Sequence, residues 1–337
     1  MKIDGPFYAT VENAASEAKR LQEAGYDGVY TLEGNTDPFF PLLLAAEHAP
    51  GMDIATAIAV AFPRNPAHLA YQAWDLQTMS KGRFSLGLGS QVKAHVERRF
   101  GCEFSQPARR MREQILAIKA FFDCFQQGSP LNFDGEFYQH TLMTPMFDAK
   151  PNRYGVPNIM LGALGPLMTK VAAEVADGLI LHPFNTESFI RERQLSVIDK
   201  QLRAQEKERS SFTVSATAIC VTGNNEEEYR AAEQSVKGLL AFYASTKAYL
   251  PPMEALGYAE LQPELNRLTR EGRWSEMAAL IDDDFLQAFA VCDEPRNMAK
   301  RLKQRYGGFS DRLGIYAPYM TMPDVWPGIV ASLKGVG

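Results

Sequence analysis

Residues 54–101, IATAIAVAFPRNPAHLAYQAWDLQTMSKGRFSLGLGSQVKAHVERRFG, read as strand, helix, strand and glycine-rich turn inside one βαβ-sized unit. The first strand, Ile54–Phe62, is apolar and small and runs into Pro63-Arg64-Asn65-Pro66. A helix follows over Pro66–Met79, with proline where a first helical turn tolerates it. The second strand, Phe84–Leu88, leaves through Gly89-Ser90 into a polar loop carrying Lys93, His95, Glu97, Arg98 and Arg99. In parallel α/β sheets such strand exits are where ligands bind.

The same rhythm extends in both directions. Strands are expected at Ile3–Tyr8 and Tyr26–Glu33, and helices at Val11–Ala24 and Phe39–Ala49. Arg109–Phe125 reads as a helix with Met111, Ile115, Ile118 and Phe122 on one stripe. Leu131–Phe147 breaks the alternation and reads as a hairpin insertion. Strands resume at Asn158–Leu164, Leu179–Pro183, Thr213–Thr222 and Arg312–Tyr319. Between them lie helices at Pro166–Ala176, Glu187–Glu208 with Thr186 as cap, Glu226–Tyr243 with Asn224 or Asn225 as cap, and Asn297–Tyr306. Val325–Leu333 closes the chain as a helix. Eight strands, each followed by a helix, predict a (β/α)8 TIM barrel; an open doubly wound sheet is the runner-up. The chain reads as a single domain over 1–337, with insertions at about 129–150 and 246–290. The second insertion is too long for an ordinary connection and belongs near an active site or an interface.

At 337 residues and 46% hydrophobic content the chain is long enough for a large core. A net charge of −5 argues against binding driven by nucleic-acid phosphates. The four cysteines form no CxxC pair, and the five histidines show no HxH or HExxH spacing, so neither a metal nor a disulfide framework is expected. No apolar run approaches the ~18 residues of a membrane span, and the first residues lack an apolar signal core. A cytoplasmic protein is the expectation.

In a barrel the chemistry lies at the C-terminal strand ends: 31–35, 55–61, 87–92, 162–166, 181–185 and 316–319. These stretches offer no nucleophile with a base and no GxSxG elbow. Small residues and backbone donors suit a bound cofactor that carries out the reaction while the protein positions it. The GLGS turn at Gly87–Ser90, with Gly89 and Ser90 at its exit, has two readings: a phosphate cradle, or glycines needed only for backbone shape; Gln91 in the loop beyond is a candidate for the cofactor tail or substrate. Gly162, Ala163, Leu164, Gly165 and Pro166 form a second small-residue exit that leads into a helix N-terminus, and the two together make a joint phosphate and ring platform. His182 ends a strand and with an ordinary pKa of ~6.5 is a candidate proton donor. The alternative is a hydrogen-bonded structural histidine. His95 and Arg98 are candidates for a cofactor tail or substrate, or else a solvated rim.

The combination FPRNPAHLA, LQTMSKGRFSLGLGS, RRFG, LGALGP and VADGLILH resembles the bacterial luciferase-like monooxygenase superfamily. Within it the branch of F420-dependent oxidoreductases is the most similar, and the resemblance runs from Gly25 to Arg312. It implies a (β/α)8 barrel with the cofactor across its C-terminal face. It also implies a bulge with a non-prolyl cis peptide at Ala57–Ile58, or one bond earlier at Thr56–Ala57, backing the flavin-like ring. Glu33 falls where members place an acidic or polar residue near that ring; a salt bridge or cap is the alternative. The chain departs from the sugar-phosphate dehydrogenases of the family. Glu33-Gly34 stands where they carry an acid and a histidine, and Val92 where they carry a glutamate.

The expected activity is hydride transfer between C5 of coenzyme F420 and a small organic substrate. The alternatives are an FMN-dependent monooxygenase using O2, with a flavin reductase as partner, and a flavin-binding barrel without turnover. The resemblance implies a homodimer or higher homo-oligomer.

Overall fold

The computed structural model describes residues 1–319 and 324–335. Eight strands set the frame: β1 (Lys2–Pro6), β2 (Gly28–Thr31), β3 (Asp53–Thr56), β4 (Phe84–Gly89), β5 (Asn158–Ala163), β6 (Gly178–Leu181), β7 (Thr213–Val221) and β8 (Arg312–Tyr316). Helices alternate with them: α1 (Ala14–Glu23), α2 (Phe39–His48), α3 (Pro66–Met79), α4 (Pro107–Gln127), α5 (Pro166–Val175), α6 (Ser196–Ala204), α7 (Glu226–Ala244), α8 (Pro295–Tyr306) and α9 (Val325–Lys334). The class is the (β/α)8 barrel that the alternation predicts. No helix among the described residues is long and apolar enough to cross a membrane. The chain falls into two compact units, one of Gly5–Ile180 with Val197–Thr213, the other of Met1–Asp4, Leu181–Ser196 and the chain from Val214 onward.

In the first unit β2, β3, β4 and β5 pair in parallel, with Gly28 opposite Asp53, Ile54 opposite Phe84 and Ser85 opposite Asn158. The strand expected over 54–62 is interrupted. It runs as β3 to Thr56 and restarts as Ala59–Val60, which pairs with Leu88 and Gly89 of β4. The polar loop expected after β4 contains a short helix, Lys93–Arg98. Helix α3 starts where its sequence says it should: the Asn65 side chain accepts from the Ala67 N–H, and Pro66 occupies the first turn. It packs on α4 through Trp74, whose ring lies 5.7 Å from Phe122 and 5.4 Å from Phe125. Both phenylalanines are fully buried, and such aromatic packing contributes several kcal/mol.

The expected hairpin is present but short, pairing Phe133–Asp134 with Gln139–His140. It is tied to α4 by one carboxylate. Glu113 accepts from the N–H groups of Phe137 at 2.6 Å, Tyr138 at 2.7 Å and Glu136 at 3.0 Å. Gly135 leaves the room: a Cβ there would lie 2.2 Å from the Glu113 Oε1.

In the second unit β8 pairs with β1 and with β7, and an outer strand Ala290–Cys292 adds to β7. That outer strand was not expected, because three residues are too few to show a period. Segment 246–290 otherwise holds a 3-10 turn, Lys247–Tyr249, and four short α-helices, Leu250–Glu254, Leu261–Glu271, Trp274–Ala279 and Asp283–Phe289. The long helix expected from Glu187 begins with Thr186 as its cap but widens to a π-turn over Ile190–Leu195 before α6. Asn225, one of the two candidates, caps α7. Arg312 grips the buried Asp4 carboxylate from β8, with Nε 2.7 Å from Oδ2.

Replacing Glu113 with alanine removes all three acceptor contacts to the hairpin. Amide hydrogen exchange at 136–138 should accelerate about 10- to 100-fold, the equivalent of roughly 1.5–3 kcal/mol. Exchange in the Phe121–Phe125 turn of α4 should stay unchanged.

Candidate functional site

Glu33 lies just past β2 with its side chain only 6% exposed. Its Oε2 accepts from the Val60 N–H at 2.6 Å and from Arg64 Nη1 at 2.7 Å. Arg64 Nη1 also donates to the Val60 carbonyl at 2.9 Å, and Nη2 to Asp37 Oδ2 at 3.1 Å. From α4, the buried Gln114 amide donates to the carbonyls of Ala61 at 2.8 Å and Arg64 at 2.9 Å. Residues 60–64 are thus fixed from the ends of β2 and from α4. Of the two readings of Glu33, the ion pair is what the structure contains.

The segment held in this way follows the cis peptide, which lies at Ala57–Ile58. On one side of it the Thr56 hydroxyl donates to the Gly87 carbonyl at 2.8 Å and accepts the Gly87 N–H at 2.9 Å. A Cβ on Gly87 would lie 1.8 Å from the Thr56 carbonyl oxygen, so no other residue fits β4 there. On the other side the Ile58 side chain sits over two strand ends. A Cβ on Gly89 would come within 2.7 Å of Ile58 Cδ1, and one on Gly162 within 2.9 Å of Ile58 Cγ2. Ile58 remains partly exposed, whereas Ala59 and Val60 are buried. The strand ends of β3, β4 and β5 therefore present one rigid apolar surface.

This geometry gives the glycines of both exits a packing role beside Ile58. Ser90 turns its hydroxyl onto the Gln91 carbonyl at 3.2 Å, and Gln91 takes a left-handed backbone with φ 57° while its side chain accepts from the Val92 N–H. Ala163 and Leu164 are buried, Gly165 precedes α5, and Pro166 is exposed in its first turn. His95 and Arg98 are exposed on the helix after β4. Thr56, Ala57, Ile58, Gly89 and Gly162 are brought together; His95 and Arg98 stand on the surface beyond them.

His182 belongs to the second unit, directly after β6. Its Nδ1 accepts from the Phe184 N–H at 3.1 Å, which leaves the proton of the neutral ring on Nε2. Tyr249 lies on it at 4.4 Å with a 33° tilt, and Tyr243 meets it edge-on at 5.3 Å. Burial among these rings pushes its pKa down to about 4. Burial raises Tyr249 and Tyr316 as well, and Tyr316 is hydrogen-bonded to Tyr243. No charged side chain contributes to any of these three shifts. At neutral pH His182 offers an N–H donor rather than an imidazolium.

Sequence reasoning did not single out Arg64, Gln114, Tyr243 or Tyr249. Arg64 was visible in FPRNP, but its partner lies 31 positions away. The tyrosines sit at the end of α7 and in the 246–290 segment, where periodicity gives no packing.

Comparison with known proteins places the chain. It matches the luciferase-like monooxygenase model over residues 4–312 and belongs to that family, whose members are oxidoreductases and monooxygenases dependent on F420 or FMN. It is an oxidoreductase. An uncharacterized protein of Mycobacterium tuberculosis is 43% identical over 93% of this chain and 92% of its own length. The 5,10-methylenetetrahydromethanopterin reductase of Archaeoglobus fulgidus is 24% identical over 85% of this chain and 83% of its own. Among solved structures, the coenzyme F420 dependent tetrahydromethanopterin reductase from Methanopyrus kandleri has the same fold. It gives a TM-score of 0.81 at 18% identity, covering 99% of this chain and 97% of that one.

Two outcomes follow from the geometry. Gly162→Ala should destabilise the protein by about 1–3 kcal/mol, and most of that cost should vanish in an Ile58→Ala background, as measured by a double-mutant cycle of urea midpoints. His182 has a folded pKa below its unfolded ~6.5, so the unfolded chain takes up the proton first as pH falls. Stability should decline by up to ~1.4 kcal/mol per pH unit from about 6.5 towards 4. Urea unfolding at pH 7 and pH 5 should show this loss in the native protein and a smaller one in His182→Gln.

Proposed function

We propose that the protein is an F420-dependent oxidoreductase, with the deazaflavin ring lying on the Ile58 surface. The observation that carries this reading is that surface itself: a rigid apolar face at three adjacent strand ends, held from behind by the Glu33–Arg64 pair. The residues fit a flavin-like ring, since Thr56, Ala57, Ile58, Gly89 and Gly162 carry no charge and Ile58 is partly exposed. The name of the archaeal relative as a methylenetetrahydromethanopterin reductase supports a reductase over an oxygenase.

When bound, the deazaflavin supplies a hydride-exchanging carbon, C5, which reacts with a small organic substrate. The remaining work belongs to the chain. Thr56, Ala57 and Ile58 back the ring, with Gly89 and Gly162 giving Ile58 its place. Ser90, Gln91 and the α5 start at Gly165 and Pro166 border the platform and take the polar part of the cofactor, and His95 and Arg98 take its anionic tail. Glu33 keeps the platform in shape through Val60 and Arg64. Holding the reacting pair against a rigid face and excluding water lowers the barrier by several kcal/mol. On this reading the protein works as a homodimer or higher homo-oligomer.

The test is titration of the purified chain with F420 and, separately, with FMN. The expected result is saturable F420 binding with a change in the deazaflavin absorption band, weakened about tenfold or more by Ile58→Asp. Tight FMN binding with consumption of O2 would instead establish the monooxygenase, with a flavin reductase as its partner. Binding of either ring without turnover would establish a carrier.

A further inference from the structure

His182, Phe184, Tyr243, Tyr249 and Tyr316 form an aromatic group within one unit, at the ends of β6, α7 and β8 and in the segment after α7. His182 and Tyr249 lie nearly face to face at 4.4 Å, and Tyr243 stands edge-on to both, at 5.3 Å and 5.8 Å. Phe184 backs them and is itself stacked on Phe289 at 4.3 Å, so the group cannot collapse inward. His182, Tyr243, Tyr249 and Tyr316 all keep part of their surface exposed. The polar atoms of Tyr243 and Tyr316 satisfy one another. Among the described residues the His182 Nε2–H and the Tyr249 hydroxyl have no partner.

We propose that this aromatic wall binds an uncharged, planar, conjugated carbonyl compound as substrate, its ring on Tyr249 and Tyr243 and its oxygen on the His182 Nε2–H. Flat faces of the tyrosines take a planar partner in offset or edge contact. A directed neutral N–H pairs with a carbonyl oxygen, and leaving that donor dry and unpaired would cost affinity. Among the described residues no charged side chain acts on His182, Tyr249 or Tyr316, so a carboxylate would lose its water without a cation to replace it and an ammonium would meet the N–H donor without a carboxylate to offset it. The assignment rests on the oxidoreductase reading only for what happens to the ligand; binding is measured without cofactor, so either can fail alone.

The experiment uses the full chain and benzylideneacetone as probe, in equilibrium dialysis and by the His182 Hε1 NMR signal. Three comparators share its skeleton: cinnamate, cinnamyltrimethylammonium and the hydrocarbon lacking the carbonyl. The ketone is expected to bind about tenfold or more tighter than either charged comparator and to shift the His182 signal. His182→Phe should cost about tenfold in ketone affinity and leave the hydrocarbon unchanged, while Tyr249→Leu weakens both. Equal or tighter binding of cinnamate or the ammonium overturns the assignment. So does a ketone that does not saturate the native chain or leaves the His182 signal unmoved. The native-chain comparison decides the matter even where a variant fails to fold.

Discussion

The Glu33 carboxylate receives a backbone N–H and a guanidinium N–H on the same oxygen, and both donors belong to the stretch that follows the Ala57–Ile58 bond. A carboxylate this well covered is tolerated only when paired, because an uncompensated buried charge costs several kcal/mol. Arg64 meets that demand and also closes a loop on itself by donating to the Val60 carbonyl. The consequence is directional. Val60 and Arg64 are fixed and Gln114 holds the carbonyls of Ala61 and Arg64, so the backbone after Ile58 is held while Ile58 itself stays partly exposed. The two glycines leave room for this side chain, because a Cβ on either would crowd Ile58.

What the sequence discloses divides along a physical line. The alternation of strand and helix is a local periodic signal, and it yields the barrel with eight strands near their expected places. Gly89 and Gly162 were legible as small residues at strand exits, whereas Thr56, Ala57 and Ile58 came only with the cis peptide that the family resemblance implies. Their reason was not legible. GLGS admits both a cradle for an anion and a turn shaped by its glycines, and the close approach of Gly87 to Thr56 and of Gly89 to Ile58 is visible only in three dimensions. Glu33 was read with its alternative intact, and the pairing with Arg64 is a long-range contact that no spacing rule encodes. The outer strand Ala290–Cys292 and the π-turn at Ile190–Leu195 were missed for the same reason: neither has a local pattern long enough to declare itself.

The Glu33 and His182 groupings differ in how they handle charge. Around Glu33 the protein buries charge and pairs it, which fixes backbone and tolerates no substitution that removes one partner alone. Around His182 it excludes charge altogether. The ring there is kept neutral by desolvation, and the direction of its tautomer is set by the Phe184 N–H. Neutrality makes the Nε2–H a constant donor across the physiological range instead of a switch, which suits recognition better than proton transfer.

That constancy bears on the chemistry. Hydride added to a carbonyl carbon leaves an oxyanion that must gain a proton. His182, being neutral, offers a hydrogen bond from its Nε2–H and not the acidic proton of an imidazolium. Tyr249, raised by burial, is a weaker acid than free tyrosine. On the proposed reading both stabilise developing charge through hydrogen bonds. At the positions where the sugar-phosphate enzymes of the family carry an acid–base pair this chain has Glu33-Gly34 and Val92, and Glu33 is engaged by Arg64 and the Val60 N–H instead.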